Sequence, residues 1–266
     1  RRMTDAPPVF LLGVGAQKAG TSWLHAWLRT HPEAALGPEK EMGAFLRHGA
    51  GLHPDARVDR LARLSAMAEE EMRRALEGRE PADPEALADL MEAVLIQMQP
   101  DRLKPAIALR IARHEATGRP CRVVGDVTPE YATFDAPHLA AIRAEIVALG
   151  LSPRVVFILR EPAERCLSHL RHRDRKFDRI GQPNALRAED RLAEQSRSDL
   201  LQLYTRYERA IPALEAAFLP DELFFSLYED FFRADEIARL CRFLGVSEHP
   251  APLRRRVNAS PAARRP

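Results

Sequence analysis

The stretch VFLLGVGAQKAGTSWL (9–24) constrains this chain more than any other. The apolar run from Val9 to Val14 reads as a buried strand ended by glycine. Thr21 to Thr30 reads as a helix with Trp23, Leu24, Trp27 and Leu28 on one face, and His31-Pro32 ends it. A strand that breaks through a glycine-containing loop into a helix is an anion site. The helix's first amides point at the ligand, and the helix dipole favours negative charge. The phosphate-cradling pattern G-x-x-x-x-G-K-[ST] puts lysine directly after the second glycine. Here Gly15 and Gly20 keep the separation, Thr21 and Ser22 follow, and the lysine sits inside the loop as Lys18. Gly20 lets the backbone approach an oxygen closely, Lys18 adds a mobile positive charge, and Thr21 and Ser22 add hydroxyl donors. A glycine turn with an exposed lysine is the plainer alternative.

The rest of the chain repeats the strand-then-helix rhythm. CRVVGD (121–126) and RVVFIL (154–159) read as buried strands, and ELFFSLY (222–228) as a fourth. Residues 33–48 read as a short strand or loop. Residues 135–149, 186–217 and 234–244 read as helical, and Glu161-Pro162 opens another helix, with proline suited to a first turn. Residues 55–118 are rich in Ala, Leu, Arg and Glu and break near Pro81–Pro84 and Pro100, which predicts two or three helices inserted beside the sheet. Strands alternating with helices predict an α/β fold, a P-loop-like, mainly parallel sheet with helices on both faces and a helical insertion. Residues 1–266 are expected to form one domain, with the insertion at about 55–118 and a basic tail at about 250–266.

With 40 basic and 38 acidic residues in 266, the net charge of +2 argues against a bulk polyanion binder and leaves room for local arginine clusters that serve a small anion. Nucleic acid is therefore not an expected partner. No apolar run approaches the roughly 20 residues that span a bilayer, and the start RRMTDAPP lacks a signal peptide's apolar core. Cys121, Cys166 and Cys241 have no metal-ligand spacing and read as buried thiols. A cytoplasmic protein without stable membrane insertion is expected.

A second cluster decides between nucleotide chemistries. In a magnesium-dependent P-loop enzyme, a later buried strand ends in an aspartate that helps hold the metal. Here RVVFIL ends in Arg160, and Ser168-His169 follows eight residues on. An arginine cannot bind a metal but clamps a phosphate in a fork. The carboxyl ends of parallel strands are where ligands lie, so Arg160 reads as a ligand group more readily than as half of a structural ion pair. The pattern suits two separate anionic groups with no metal between them.

Five segments, in order, carry a family resemblance. QKAGTSWL resembles the 5′-phosphosulfate loop of sulfotransferases that use 3′-phosphoadenosine 5′-phosphosulfate (PAPS). VVFILREPAERCLSHLRH resembles their 3′-phosphate segment, a strand followed by R-[DNE]-P-x-x-R and then S-H. KEMGAF (40–45) resembles the K-E-x-H-F-F segment of the heparan-type and bacterial branches, GDVTPEY (125–131) the G-[ED]-x-[ST]-P-x-Y turn, and LYEDFFRADEIARLCRFLGV (227–246) the Y-E-D … F-L-G segment.

The resemblance implies that Lys18, Ala19, Gly20, Thr21, Ser22 and Trp23 hold the 5′-phosphosulfate. Lys18 would also stabilise charge that grows on the oxygen linking phosphate to sulfur. Arg160 and Ser168 would bind the 3′-phosphate, and Tyr228 would lie near the adenine. Glu41 would be the base that takes the acceptor's proton; a surface glutamate in a KE pair is the alternative. The implied donor is PAPS, the product adenosine 3′,5′-bisphosphate, and the acceptor a carbohydrate or other small molecule with a hydroxyl or amine. The chain departs from the pattern at Gly43, where the family often has histidine, and at Ala44, where it has an aromatic; Phe45 is kept. His48 is the candidate histidine to stand in. Asp126 and Thr128 either contact acceptor or cofactor, or Thr128 and Pro129 only shape the turn. Arg254–Arg256 and Asn258 either close over the nucleotide or form a solvated tail. His25, His114 and His138 read as structural or solvent-facing. Two rivals stand beside this reading. An ATP-dependent small-molecule kinase with a degenerate P-loop needs an aspartate where Arg160 stands. A non-catalytic nucleotide-binding protein predicts PAPS affinity without turnover.

Overall fold

β1 (Val9–Gly15) is the centre of a five-stranded, wholly parallel sheet of order β2-β3-β1-β4-β5, with β2 at Ala34–Ala35, β3 at Val123–Val127, β4 at Ser152–Leu159 and β5 at Leu223–Leu227. The computed structural model describes residues 7–37, 40–49, 54–80, 84–179, 181–182, 184 and 186–252. Successive residues of β1 and β3 are buried without alternation. A strand whose odd and even side chains are both buried is covered on both faces, which is why these strands read as continuous apolar runs.

The helices are α1 (Thr21–Thr30), α2 (Pro54–Leu76), α3 (Pro84–Met98), α4 (Leu103–Glu115), α5 (Ala136–Ala148), α6 (Pro162–Arg179), α7 (Ala188–Gln195), α8 (Asp199–Leu203), α9 (Tyr207–Ala217), α10 (Tyr228–Phe231) and α11 (Ala234–Leu244). The insertion is three helices, α2 to α4. The stretch expected as one helical block at 186–217 is α7, α8 and α9. Ser198 caps α8 with its hydroxyl, a local hydrogen bond that competes with continuing the previous helix. α5 starts where Asp135 accepts the His138 amide at 3.1 Å, and α11 ends at Gly245 with φ 69°. Tyr228, expected at the end of the fourth apolar strand, instead opens α10.

The connection after β1 runs toward the β2 edge, and the connection after β4 runs toward β5. The strand order therefore reverses between β1 and β4, and the crevice at such a point is where open parallel sheets bind ligands. Residues 16–20 form one rim of that crevice, and Arg160, directly after β4, forms the other.

Candidate active site

The loop after β1 is tied down before it reaches α1. The Ala16 amide donates to Ile158 O at 2.7 Å, and the Ala19 amide to Ala16 O at 3.1 Å. Lys18 is left-handed, with φ 69°. Gly20, the N-cap of α1, has φ 90°, and a Cβ there would lie 3.1 Å from the Phe232 ring, so conformation and space both favour glycine. The Trp23 and Leu24 amides turn back on Gly20 O. The earlier amides lack carbonyl partners within the helix, as at any helix start. No acidic side chain occupies the first turn of α1, so its positive end is left for an anion. Ala19 and Thr21 are buried, and Ser22 is half-buried. Trp23 lies beneath the loop: its ring stacks on Trp27 and meets Phe231 and Phe232 edge-on, and its indole N–H donates to Pro252 O at 3.3 Å.

Lys18 sits among cations. Burial first, then Arg175, Lys40 and Arg160, bring its pKa from 10.5 down to about 8, against a raising influence from Glu41. Burial penalises charge of either sign, but the share of the shift that comes from Arg175, Lys40 and Arg160 reflects a positive potential, which favours an anion.

Arg160 faces the same crevice. Its Nη1 donates to the Lys18 carbonyl at 3.0 Å, and its guanidinium lies 4.6 Å from the centre of the Tyr228 ring. Nη2 meets Glu164 at 3.3 Å. Tyr207 fixes the strand tip, donating its hydroxyl proton to Arg160 O at 3.0 Å. Ser168 is half-buried on α6, one turn past Glu164 and on the face that Glu164 shares with Arg160.

Glu41 is paired with Lys40 and lies near enough to Lys18 to raise its pKa. Its segment is held by three successive amides. The Gly43 amide donates to Thr128 Oγ1 at 3.2 Å, the Ala44 amide to Asp126 Oδ2 at 3.0 Å, and the Phe45 amide to the Tyr131 hydroxyl at 3.1 Å. Asp126 also accepts from Thr128 at 2.7 Å and Tyr131 at 2.6 Å. These buried side chains are directed at the 43–45 backbone, a role that neither reading of Asp126 and Thr128 named. Gly43 has φ 65°, in the left-handed region that glycine adopts most readily. His48 bonds Glu145 of α5 at 2.9 Å.

His25 bonds Gly37 O, His114 bonds Pro32 O and His138 pairs with Asp135, all structural contacts. Arg254–Arg256 and Asn258 lie outside the described residues. Three residues given no role from the sequence touch this machinery. His169 Nδ1 lies 2.7 Å from Gln17 Oε1, Gln97 Nε2 donates to Met42 O at 2.7 Å, and Tyr131 completes the clamp on residue 45. Gln97 left a trace in the sequence, a polar residue inside the apolar run of AVLIQM. Among the described residues no group of His, Cys, Asp and Glu is arranged to hold a metal ion, and no helix is long and apolar enough to cross a membrane.

A parallel sheet with a glycine- and lysine-containing loop after its central strand, and an arginine at the neighbouring strand tip, defines a P-loop-like α/β architecture. The chain belongs to the sulfotransferase family, whose model matches residues 8–250. The fold is similar to that of a sulfotransferase from Alicyclobacillus acidocaldarius, at 20% identity and a TM-score of 0.55 over 95% of this chain and 87% of that one. The sulfotransferase domain of the Synechococcus PCC 7002 olefin synthase matches at 19% identity and a TM-score of 0.45, over 94% of this chain and 78% of that one. The sulfotransferase domain from the curacin biosynthetic pathway matches at 17% identity and a TM-score of 0.45, over 93% and 77%. No curated protein sequence matches the chain.

Proposed function

We propose that this sulfotransferase moves a sulfuryl group from PAPS to a hydroxyl or amine of a carbohydrate or other small-molecule acceptor. One observation carries the reading: the Arg160 guanidinium donates to the carbonyl of Lys18 itself, at 3.0 Å. Two cationic groups from neighbouring strand tips thus border one crevice, as a nucleotide with anions at both ends requires. The donor set fits that nucleotide. Lys18, Gly20, Thr21 and Ser22 surround a helix start for the 5′ end. Arg160, with N–H groups beyond the two bonds it makes, and Ser168 suit a 3′-phosphate. The Tyr228 ring beside Gly20 offers an aromatic face for adenine.

PAPS supplies the sulfuryl group, and adenosine 3′,5′-bisphosphate is what remains. Glu41 takes the acceptor's proton as the acceptor oxygen or nitrogen bonds to sulfur. Lys18 neutralises the charge left on the phosphate oxygen as its bond to sulfur breaks. Ala19 and Trp23, both buried, complete the 5′-phosphosulfate segment, and the Asp126–Thr128–Tyr131 cluster fixes the stretch of chain that carries Glu41.

Calorimetric titration with adenosine 3′,5′-bisphosphate, and separately with ATP plus magnesium, tests the donor. Binding of the bisphosphate is expected, whereas ATP-magnesium binding without it would favour a kinase. In Glu41→Gln, bisphosphate affinity should hold while the transfer rate falls by about 100-fold or more, the usual worth of a general base. Unchanged transfer in that variant removes Glu41 from the role.

A further inference from the structure

Three consecutive loop residues are held by one segment of the chain. The Ala16 amide bonds Ile158 O of β4, and the Lys18 carbonyl accepts from Arg160 at the tip of β4. Between them, the Gln17 side-chain oxygen accepts from Nδ1 of His169 on α6 at 2.7 Å. Residue 18 has a side chain and yet a φ of 69°. A residue with a Cβ keeps that conformation only where its surroundings over-determine it. The bonds to the Ala16 amide and the Lys18 carbonyl fix the backbone on either side of Gln17, and the Gln17 bond is the hold through a side chain of the loop itself.

We propose that His169 is a positioning residue, which by gripping Gln17 keeps Lys18 in its left-handed turn and aims its ammonium into the crevice. Only the catalytic consequence rests on the sulfotransferase reading of the site. The surroundings suit a neutral imidazole that donates from Nδ1. One turn earlier on α6, Arg165 is fully buried and bonded to neutral partners, Thr205 Oγ1 at 2.9 Å and Leu201 O at 3.0 Å. Burial, then Arg165, Arg173, Lys18 and His172, bring the His169 pKa down to about 4, so the ring carries a single proton at neutral pH. Gln17 Oε1 has no proton to give, so that proton lies on Nδ1.

Hydrogen exchange of the peptide covering residues 16–20 tests the hold directly, in the full chain without added nucleotide. His169→Ala and Gln17→Ala should each speed exchange there by about tenfold, as expected when a local opening loses one of its restraints. The double variant should go no faster than either single one, and His169→Asn should recover slow exchange. In transfer assays, His169→Ala should lower kcat by about 10- to 100-fold, the scale of a small misplacement of a reacting group. The KM for PAPS should stay within about threefold, because the loss is one of aim. Gln17→Ala alters the pair from the loop side and covers the case in which His169→Ala does not fold. Wild-type exchange in both alanine variants overturns the positioning role. Altered exchange in a protein that does not bind adenosine 3′,5′-bisphosphate upholds it and overturns the donor reading instead.

Discussion

Lys18 is where charge and conformation meet, and its lowered pKa gives a signed expectation. With a pKa of about 8, the ammonium is charged below that pH and neutral above it. A phosphate's second ionisation is complete well below pH 8, so a fall in nucleotide affinity above that point belongs to the protein. The Kd for adenosine 3′,5′-bisphosphate should rise by up to about tenfold per pH unit above pH 8, the limit for losing one proton. Lys18→Arg should flatten the profile, because a guanidinium keeps its charge. Calorimetry between pH 7 and 10 checks this, and a wild-type profile as flat as that of Lys18→Arg refutes it. The same shift predicts a stability effect of the opposite sense. The folded state holds the Lys18 proton less well than the unfolded chain does, so its cost is full below pH 8 and fades toward pH 10.5. Lys18→Met should therefore stabilise the fold at pH 7 by about 1 kcal/mol, after discounting for partial exposure. It should also abolish transfer. Paired thermal melts at pH 7 and pH 10.5 should show the gain at the lower pH and its loss at the higher.

At the scale of elements, the turn after β3 holds the segment that carries Glu41, and its Pro129 and Ala132 also lie against Gly15 at the end of β1. Asp126 accepts from Ala44, Thr128 and Tyr131, each of which would be left with a buried donor if the carboxylate were removed. Asp126→Ala should lower stability by about 3 kcal/mol and Thr128→Val by about 1 kcal/mol, the usual ranges for losing charged and neutral buried partners. Urea denaturation measures both, and Asp126→Ala with wild-type stability would show that the clamp contributes nothing. Gly43→Ala should cost about 1 kcal/mol through its left-handed backbone. The turn's motif was legible in the sequence, but its task was not. Asp126, Thr128 and Tyr131 are each more than 80 residues from the amide they hold, and no local pattern reports such a pairing. Local signals placed the strands and most helix ends well, because burial on both faces, Asp135 as a cap and Gly245 as a stop all act within a few residues. The same signals missed the division of 186–217, where a single serine cap and tertiary packing decide.

For the whole molecule, the parallel direction of the strands follows from the alternation of strands and helices, their order is visible only in the fold, and the loop and Arg160 meet because that order reverses between β1 and β4. What the sequence left silent is the purpose of the helical insertion, whose composition names no ligand. Its helices pack into the main core through Ala93, Ile96, Leu103 and Ile107, and two side-chain hydrogen bonds add to that hold. On α4, His114 bonds Pro32 O at 3.0 Å beside β2, and on α3, Gln97 gives its amide proton to Met42 O at 2.7 Å. Arg110 and Glu92, 2.7 Å apart, join the two helices. The insertion therefore reaches the residue next to Glu41 from one side while Asp126, Thr128 and Tyr131 hold residues 43–45 from the other. Gln97 is buried, so Gln97→Leu keeps the volume and leaves the Met42 carbonyl without its donor. The transfer rate should fall by about tenfold or more through a looser Glu41, while the affinity for adenosine 3′,5′-bisphosphate holds, since Lys18 and Arg160 lie on other elements. Equal losses in rate and nucleotide affinity would instead mean that the insertion supports the whole crevice. An unchanged rate would mean that the 126–131 clamp alone is enough to place the base.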